Sequence, residues 1–266
     1  MKRIVIALCI IFIPSCAFAW GYKGHGVIAY IAWERLTDKA KTEIEKLIDP
    51  PGVEEKFIHA STWADQIRRG RPETGPWHYV NIPYGSAGYL PSRDCSSGNC
   101  VVAKIVEFSN VVPDKNVLSA LRVEALRFLI HFVADIHQPL HVANDNDRGG
   151  NDTWVSINNG PSKKLHAVWD TDVVNELGVN FTQIAPTLIN QITPAQVSKW
   201  TADKPEDWAN DSFKVACDFI YARSRGPNTQ ATPIILPPDY LRDASPIVAE
   251  RLKMAGVRLA FLLNKL

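Results

Sequence analysis

The sequence predicts a mainly α fold: a single compact helical domain with long loops and a small β-hairpin. Three observations predict it. Apolar residues recur at helical spacing over long stretches, most plainly from Leu118 to Ile130 and from Phe213 to Ile220. Strand-like alternation is clear only at Thr153 to Ile157, just before the hairpin-type dipeptide Asn159-Gly160. The 266 residues are 46% hydrophobic and carry no internal repeat and no linker, which suits one large domain or at most two.

The chain opens as a targeting segment. Lys2 and Arg3 precede an apolar run from Ile4 to Ile13, then Pro14, then small residues ending Ala17-Phe18-Ala19. That is the pattern of a cleaved signal peptide, so residues 1–19 are expected to be removed and 20–266 to form the mature domain. The run is too short to span a bilayer, so no membrane anchor remains after cleavage. The competing reading is a lipoprotein signal, with Ile13-Pro-Ser-Cys16 as an imperfect lipobox. The expected location is secreted or periplasmic.

Val27 to Leu36 reads as a buried helix. Thr37 caps a second helix to Leu47, with Ala40, Ile44 and Leu47 facing inward, and Asp49-Pro-Pro-Gly52 ends it. Ser61 to Arg69 reads as a short helix with Asp65 and Arg68 on one side. Gly70 to Pro76 reads as a loop and Trp77 to Pro83 as extended. Gly85 to Cys100 is a Gly/Ser/Pro loop. In an exported protein Cys95 and Cys100, bracketing Ser-Ser-Gly-Asn, are expected to form a local disulfide.

Helices follow at Val101–Val111 and Asn116–Gln138, then a polar loop from Asn144 to Asn151. Leu165 to Leu177 is helical with Gly178 as its C-cap. Pro205 to Arg223 is another helix, and Cys217 within it reads as a buried thiol. After the Pro-rich stretch Gly226–Tyr240, Ser245-Pro246 starts a last helix to about Leu263. Formal charge is +1, and loss of Lys2 and Arg3 changes it to −1. No basic excess marks a binder of duplex DNA by charge alone.

The chemistry-bearing stretch is His131-Phe-Val-Ala-Asp135-Ile-His137-Gln-Pro139-Leu-His141. On a helix, His131 and Asp135 share one face with Cβ atoms roughly 5–6 Å apart, a spacing that grips a metal ion without backbone strain. Pro139 breaks the helix, so His141 can turn in from another direction. His166 and Asp170 repeat the four-residue spacing. His nitrogen and carboxylate oxygen suit zinc, and the lack of Cys here argues against a closed structural site. A buried structural His–Asp pair is the competing reading for His131 and Asp135, weakened by the second pair and His141. His137 and His59 read as ordinary hydrogen-bonded residues, His59 for want of a partner at helical spacing. Asp38, Asp49 and Asp203 read as helix-end residues.

Trp20, Gly24-His25, Trp63-Ala-Asp65-Gln-Ile-Arg68, Trp77-His78-Tyr79, His131 to His141, Arg148-Gly-Gly-Asn151 and Leu165-His166-x-x-Trp-Asp170 carry a resemblance running from Trp20 to the last helix. The chain resembles the zinc-dependent single-strand nucleases of fungi and plants and their bacterial relatives, in one superfamily with zinc phospholipase C. The resemblance implies the phospholipase C/nuclease type of helical domain and three Zn²⁺. Asp65, His78, His131 and Asp135 would hold the first ion; His141, His166 and Asp170 the second. Trp20, through its α-amine and carbonyl, would hold the third with His25 and Asp135 as a bridge. That amine exists only after cleavage.

The resemblance also implies endonucleolytic hydrolysis of single-stranded DNA and RNA to 5′-phosphorylated products, and 3′-nucleotidase activity. Asp65 and Arg68 are the implied catalytic residues, Arg68 bracing the charge on phosphorus. Tyr79 could stack on a base or simply pack, and Asn151 could bond substrate or simply close a turn. One departure stands out: fungal and plant members usually carry Asp where this chain has Asn81, which cannot act as a base. The expected partner is nucleic acid, with no stable protein partner implied. Two alternatives remain. A zinc-dependent phospholipase C would need an apolar mouth and tends to have Glu at the position of Asp170. A non-enzymatic exported zinc binder would not need Arg68.

Overall fold

The computed structural model describes residues 20–48 and 51–266. The cleavage reading of 1–19, the Cys16 alternative and the Asp49 helix stop lie outside the described residues. The fold is mainly helical with two small sheets, as expected. Helices α1 (Gly21–Glu34), α2 (Asp38–Glu45), α3 (Val53–Ala60) and α4 (Trp63–Ile67) come first. They are followed by α5 (Pro91–Asp94), α6 (Val101–Val111) and α7 (Ser119–Asp135). Thr37 caps α2 as expected, its hydroxyl accepting from Ala40 N. Helix α3 is not expected from the sequence. It also corrects the reading of His59 as lacking a partner at helical spacing: Glu55 lies 3.6 Å away, four residues earlier.

Helix α7 is the axis of the molecule. From Ala125 to Asp135 every residue except Arg127 is buried, as a helix apolar on nearly all sides must be. It packs on α6, α4, α3 and α1. The long last helix α14 closes over both α1 and α7. Between α7 and α14 come α8 (Leu165–Ala167), a π-helical stretch Val168–Asp172, α9 (Val173–Asn175), α10 (Phe181–Ile189) and α11 (Pro194–Thr201). A further run follows: α12 (Pro205–Val215), a second π stretch Ala216–Tyr221, α13 (Ala222–Ser224), and finally α14 (Tyr240–Leu263).

Three expectations are corrected. The stretch Pro72–His78 is a 3₁₀ turn, and the extended backbone begins only at Tyr79. Helix α14 starts at Tyr240 rather than at Ser245-Pro246. Proline removes one helical hydrogen bond, and burial of Tyr240, whose hydroxyl accepts from Trp169 Nε1 at 3.0 Å, outweighs that loss. The hairpin turn is centred on Asn158-Asn159, both at positive φ, and not on Asn159-Gly160; Gly160 N closes it onto Ile157 O at 2.8 Å.

The sheets are short but they set the site. Strand β1 (Ile82–Pro83) runs parallel to β2 (Ala143–Asn144). Val80 N bonds the His141 carbonyl at 2.9 Å, so the chain after His78 is zipped to the chain after His141. Strand β3 (Trp154–Ser156) pairs antiparallel with β4 (Lys163–Lys164) and parallel with β5 (Ile234–Ile235). Cys95 and Cys100 form the expected disulfide. Cys217 is a half-buried free thiol, its pKa pushed up by burial.

Candidate metal centre

Helix α7 delivers His131 and Asp135 on one face, with His131 Nε2 3.2 Å from Asp135 Oδ2. The 3₁₀ turn brings His78 alongside: its Nδ1 is 3.0 Å from Asp135 Oδ2 and 3.0 Å from His131 Nε2. Asp65, from α4, places Oδ1 3.7 Å from both histidines. His25, from α1, stacks on His131 with centroids 4.2 Å apart and puts Nε2 3.4 Å from Asp135 Oδ1. A second group lies beside the first. His141 Nε2 and His166 Nε2 are 3.1 Å apart, and His166 Nε2 is 3.4 Å from Asp170 Oδ2. Asp170 sits in the π-helical stretch Val168–Asp172, one of the local widenings of a helix that often mark functional sites. Asp135 Oδ1, 4.0 Å from His141 Nδ1, links the two groups.

Carbonyl groups fix which nitrogens face inward. Nδ1 of His131 donates to Ser61 O at 2.6 Å, Nδ1 of His141 to His78 O at 2.8 Å, and Nδ1 of His166 to Gly149 O at 2.6 Å. A carbonyl only accepts, so each Nδ1 carries a proton and each Nε2 is the nitrogen turned to the cluster, where a proton or a cation can sit. The last of these contacts depends on backbone shape. Arg148, Gly149 and Gly150 all have positive φ, and a Cβ on Gly149 would lie 2.2 Å from Leu140 O. Only glycine fits there, and its carbonyl is thereby aimed at His166.

The donor set fits a bound cation. Five of the six buried side-chain polar atoms without a hydrogen-bond partner among the described residues belong to this cluster: both nitrogens of His25, Asp65 Oδ2, His78 Nε2 and Asp135 Oδ1. Buried polar groups are otherwise nearly always paired. Lone pairs of His141 and His166 facing each other at 3.1 Å repel unless a proton or a cation sits with them. Three sets of ligand atoms lie close enough to share an ion: His25, Asp65 and His131; His78, His131 and Asp135; His141, His166 and Asp170. Imidazole nitrogen with carboxylate oxygen, and no thiolate, is a zinc-type donor set.

Titration in the bare cluster reports the same crowding. Burial favours neutral groups throughout. His131 is nonetheless pushed up to about 9, because Asp135 and Asp65 outweigh its burial. Burial takes His141 down to about 3 and pushes Asp170 up to about 6. Burial also lowers His25 and His78 against the pull of Asp135. Asp135 itself is held well below the usual carboxylate range; burial opposes this, but the surrounding histidines win.

The other expected residues fall at the rim. Trp20 is buried at the start of α1; its backbone nitrogen is 3.1 Å from Asp170 Oδ1 and its carbonyl accepts from Gly24 N. Arg68 is half-buried one turn after Asp65 and beside Gly75, with no hydrogen bond or ion pair among the described residues. Tyr79 is half-exposed and Asn81 exposed. Asn151 donates its side-chain amide to Arg148 O at 3.0 Å, closing its own turn. Sequence reasoning missed Gln138, whose Nε2 donates to Asp170 Oδ1 at 2.7 Å and whose Oε1 accepts from Leu140 N. Its place three residues after Asp135 was the available signal. The carbonyls of Ser61 and Gly149 had none, because any residue supplies a carbonyl.

A family model described as S1/P1 Nuclease matches residues 20–266. The chain is 29% identical to Endonuclease 2 of Arabidopsis thaliana, over 98% of this chain and 95% of that protein. It is 25% identical to Nuclease S1 of Aspergillus oryzae, over 98% and 96% of the two chains. It is 30% identical to Nuclease P1 of Penicillium citrinum over 59% of each.

Proposed function

The chain belongs to the S1/P1 nuclease family and is a hydrolytic nuclease, and from that premise we propose that it is an exported, three-zinc endonuclease of single-stranded DNA and RNA. The observation that carries this reading is the set of buried, unpartnered His and Asp atoms converging beside inward-facing imidazole lone pairs. Asp65, His78, His131 and Asp135 would hold one ion, and His141, His166 and Asp170 a second. The third would take His25, Asp135 and the amine and carbonyl of Trp20 once residues 1–19 are gone. That the family match begins at Trp20 supports cleavage there.

Zinc held by these residues would supply Lewis-acid charge and lower the pKa of a water to about 7, and the products expected are 5′-phosphorylated. The protein's own groups do the rest. Arg68, whose guanidinium has no partner among the described residues, offers a two-pronged grip on a phosphate oxygen pair. Carbonyl contacts from Ser61, His78 and Gly149 hold three imidazoles in one tautomer and orientation, the outer support that metal ligands need. Gln138 and the Trp20 nitrogen orient Asp170. Tyr79 offers a ring for base stacking and Asn151 a side-chain oxygen for substrate. Asn81 cannot take a proton, so no base outside the cluster is assigned.

The test is product analysis on a defined oligonucleotide with and without chelator, alongside metal counting. Zinc near three per chain, chelator-sensitive cleavage and 5′-phosphate ends are expected, as is release of phosphate from 3′-nucleotides. A folded, processed sample that holds no stoichiometric metal would end the proposal. A form extended before Trp20 should hold one ion fewer.

A further inference from the structure

Tyr22 stands on α1 one turn before His25, a spacing at which Cβ atoms lie roughly 5–6 Å apart. His25 is fully buried, yet Tyr22 is 53% exposed. None of the other exposed large hydrophobics among the described residues lies within four residues of a candidate metal ligand.

The ring is braced. Phe181 meets it edge-on, with centroids 5.9 Å apart and planes at 68°. Phe181 in turn occupies a hollow that exists because residue 26 is glycine: a Cβ on Gly26 would come within 2.8 Å of Phe181 Cδ1. On the other side the His59 ring stands 6.3 Å away, tilted by 44°. His59 is tied to the centre as well. Its carbonyl accepts from Thr62 N, and the neighbouring Ser61 carbonyl receives the His131 Nδ1 proton. Lys23 is already bound to Asn175 and the Gly178 carbonyl, so it leaves the ring open rather than covering it.

The two tilted rings are both exposed, so Tyr22 keeps a π-face toward solvent one helical turn from His25. A protein partner needs roughly 1,000 Å² of contact, far more than one ring offers. A nucleobase needs only one π-face, and every base has one. We propose that the Tyr22–His59 pair is a nucleobase-stacking subsite for single-stranded substrate, one or two nucleotides from the phosphodiester held at the metal centre. This rests on the nuclease reading above. A base inside a duplex would have to unstack to enter, so the pair favours single strands.

Kinetics on an unstructured DNA octanucleotide test it. Tyr22→Ala is expected to raise KM about tenfold, the usual size of one lost base stack. Tyr22→Phe keeps the ring and should stay within about twofold of wild type. Abasic sites placed one position at a time should reveal a single position where the wild type loses the same factor and Tyr22→Ala loses nothing more. Phe261→Ala, an exposed ring near the end of α14, is the control and should leave KM alone. An unchanged KM in Tyr22→Ala, or a loss that persists at every abasic position, overturns the subsite. Quenching of a 2-aminopurine octanucleotide by chelated protein separates the two readings. Quenching that disappears in Tyr22→Ala supports the subsite even if the wild type cleaves nothing. Cleavage by a wild type that shows no quenching leaves the nuclease reading intact and removes the subsite.

Discussion

The two sides of the segment Ile136–Gln138 treat buried polar groups in opposite ways. On the front side, five buried atoms of His25, Asp65, His78 and Asp135 have no hydrogen-bond partner among the described residues. On the back side, two buried arginines of α14 are bonded throughout. Arg258 reaches Asp203 at 2.7 Å, Asp211 at 3.1 Å, the Trp200 carbonyl and His137 Nε2. Arg251 bonds Ser212 Oγ, the His137 carbonyl and Met254 Sδ, and Ser212 in turn bonds the Ile136 carbonyl. Among the described residues only Trp208 Nε1 is bare there. The difference teaches that the front is not loose packing. A chain able to satisfy two buried guanidiniums a few residues away leaves the front groups open for a cation.

The largest effect should come from the residue shared most widely at the front. Asp135→Asn keeps the shape and removes the charge facing His25, His78, His131 and His141. Activity should fall roughly a thousandfold, a loss at the upper end for one electrostatic contact. Metal per chain should fall with it. A variant that keeps both its metal and its turnover would erase the distinction between front and back.

Chelation probes the same contrast without mutation. A ligand at a thousandfold excess over its Kd stabilises by about 4 kcal/mol. At roughly 2–4 °C per kcal/mol for a domain of this size, loss of even one ion should lower Tm by about 10 °C, so chelator should lower it by at least that much. A Tm that ignores chelator would mean the front is satisfied by other means.

Proton and metal compete for the front, so pH should sharpen the picture in chelated protein. His131 is raised from 6.5 to about 9. A raised base contributes stability that is complete below pH 6.5 and lost as pH climbs through about 9. Each tenfold gain in proton affinity is worth about 1.4 kcal/mol, so the chelated protein should lose about 3 kcal/mol across that window. The zinc-loaded protein should lose much less, because the metal takes the proton's place. Urea midpoints at pH 6.5 and 9 decide it, and equal slopes with and without metal would contradict the assignment.

Most of the front was legible in the sequence, because ligand chemistry is written in residue type and spacing. His131 with Asp135, and His166 with Asp170, declare themselves at helical intervals. The back was not legible. No residue spacing singles out Arg251 and Arg258, and only tertiary packing puts them against His137. The fold divides similarly. Helix α6 lies where its pattern puts it, from Val101 to Val111. Helix α10 was hidden by Pro186 in its interior, and α3 by the Pro-Pro-Gly that precedes it. The start of α14 was misplaced because Pro246 looks like a first-turn residue, whereas burial of Tyr240 and Ala244 carries the helix further back.

The smallest expected effect separates the two arginines of the back side. Arg258→Met leaves the Trp200 carbonyl and His137 Nε2 without a donor, while Asp203 and Asp211 are exposed enough to rehydrate. Unsatisfied buried groups cost about 1–3 kcal/mol each, so a loss of about 3 kcal/mol is expected, with metal content unchanged in excess zinc. Arg251 differs: it pairs with no carboxylate among the described residues, and burial together with Arg258 draws its pKa down to about 10. Arg251→Met removes a buried charge but also strips a donor from the His137 carbonyl, and Ser212 keeps its bond to Ile136. These effects oppose each other, so the change should stay within about 1 kcal/mol. Urea unfolding of both variants in excess zinc measures the gap. If Arg251→Met costs as much as Arg258→Met, the carboxylates are not what makes a buried guanidinium tolerable here.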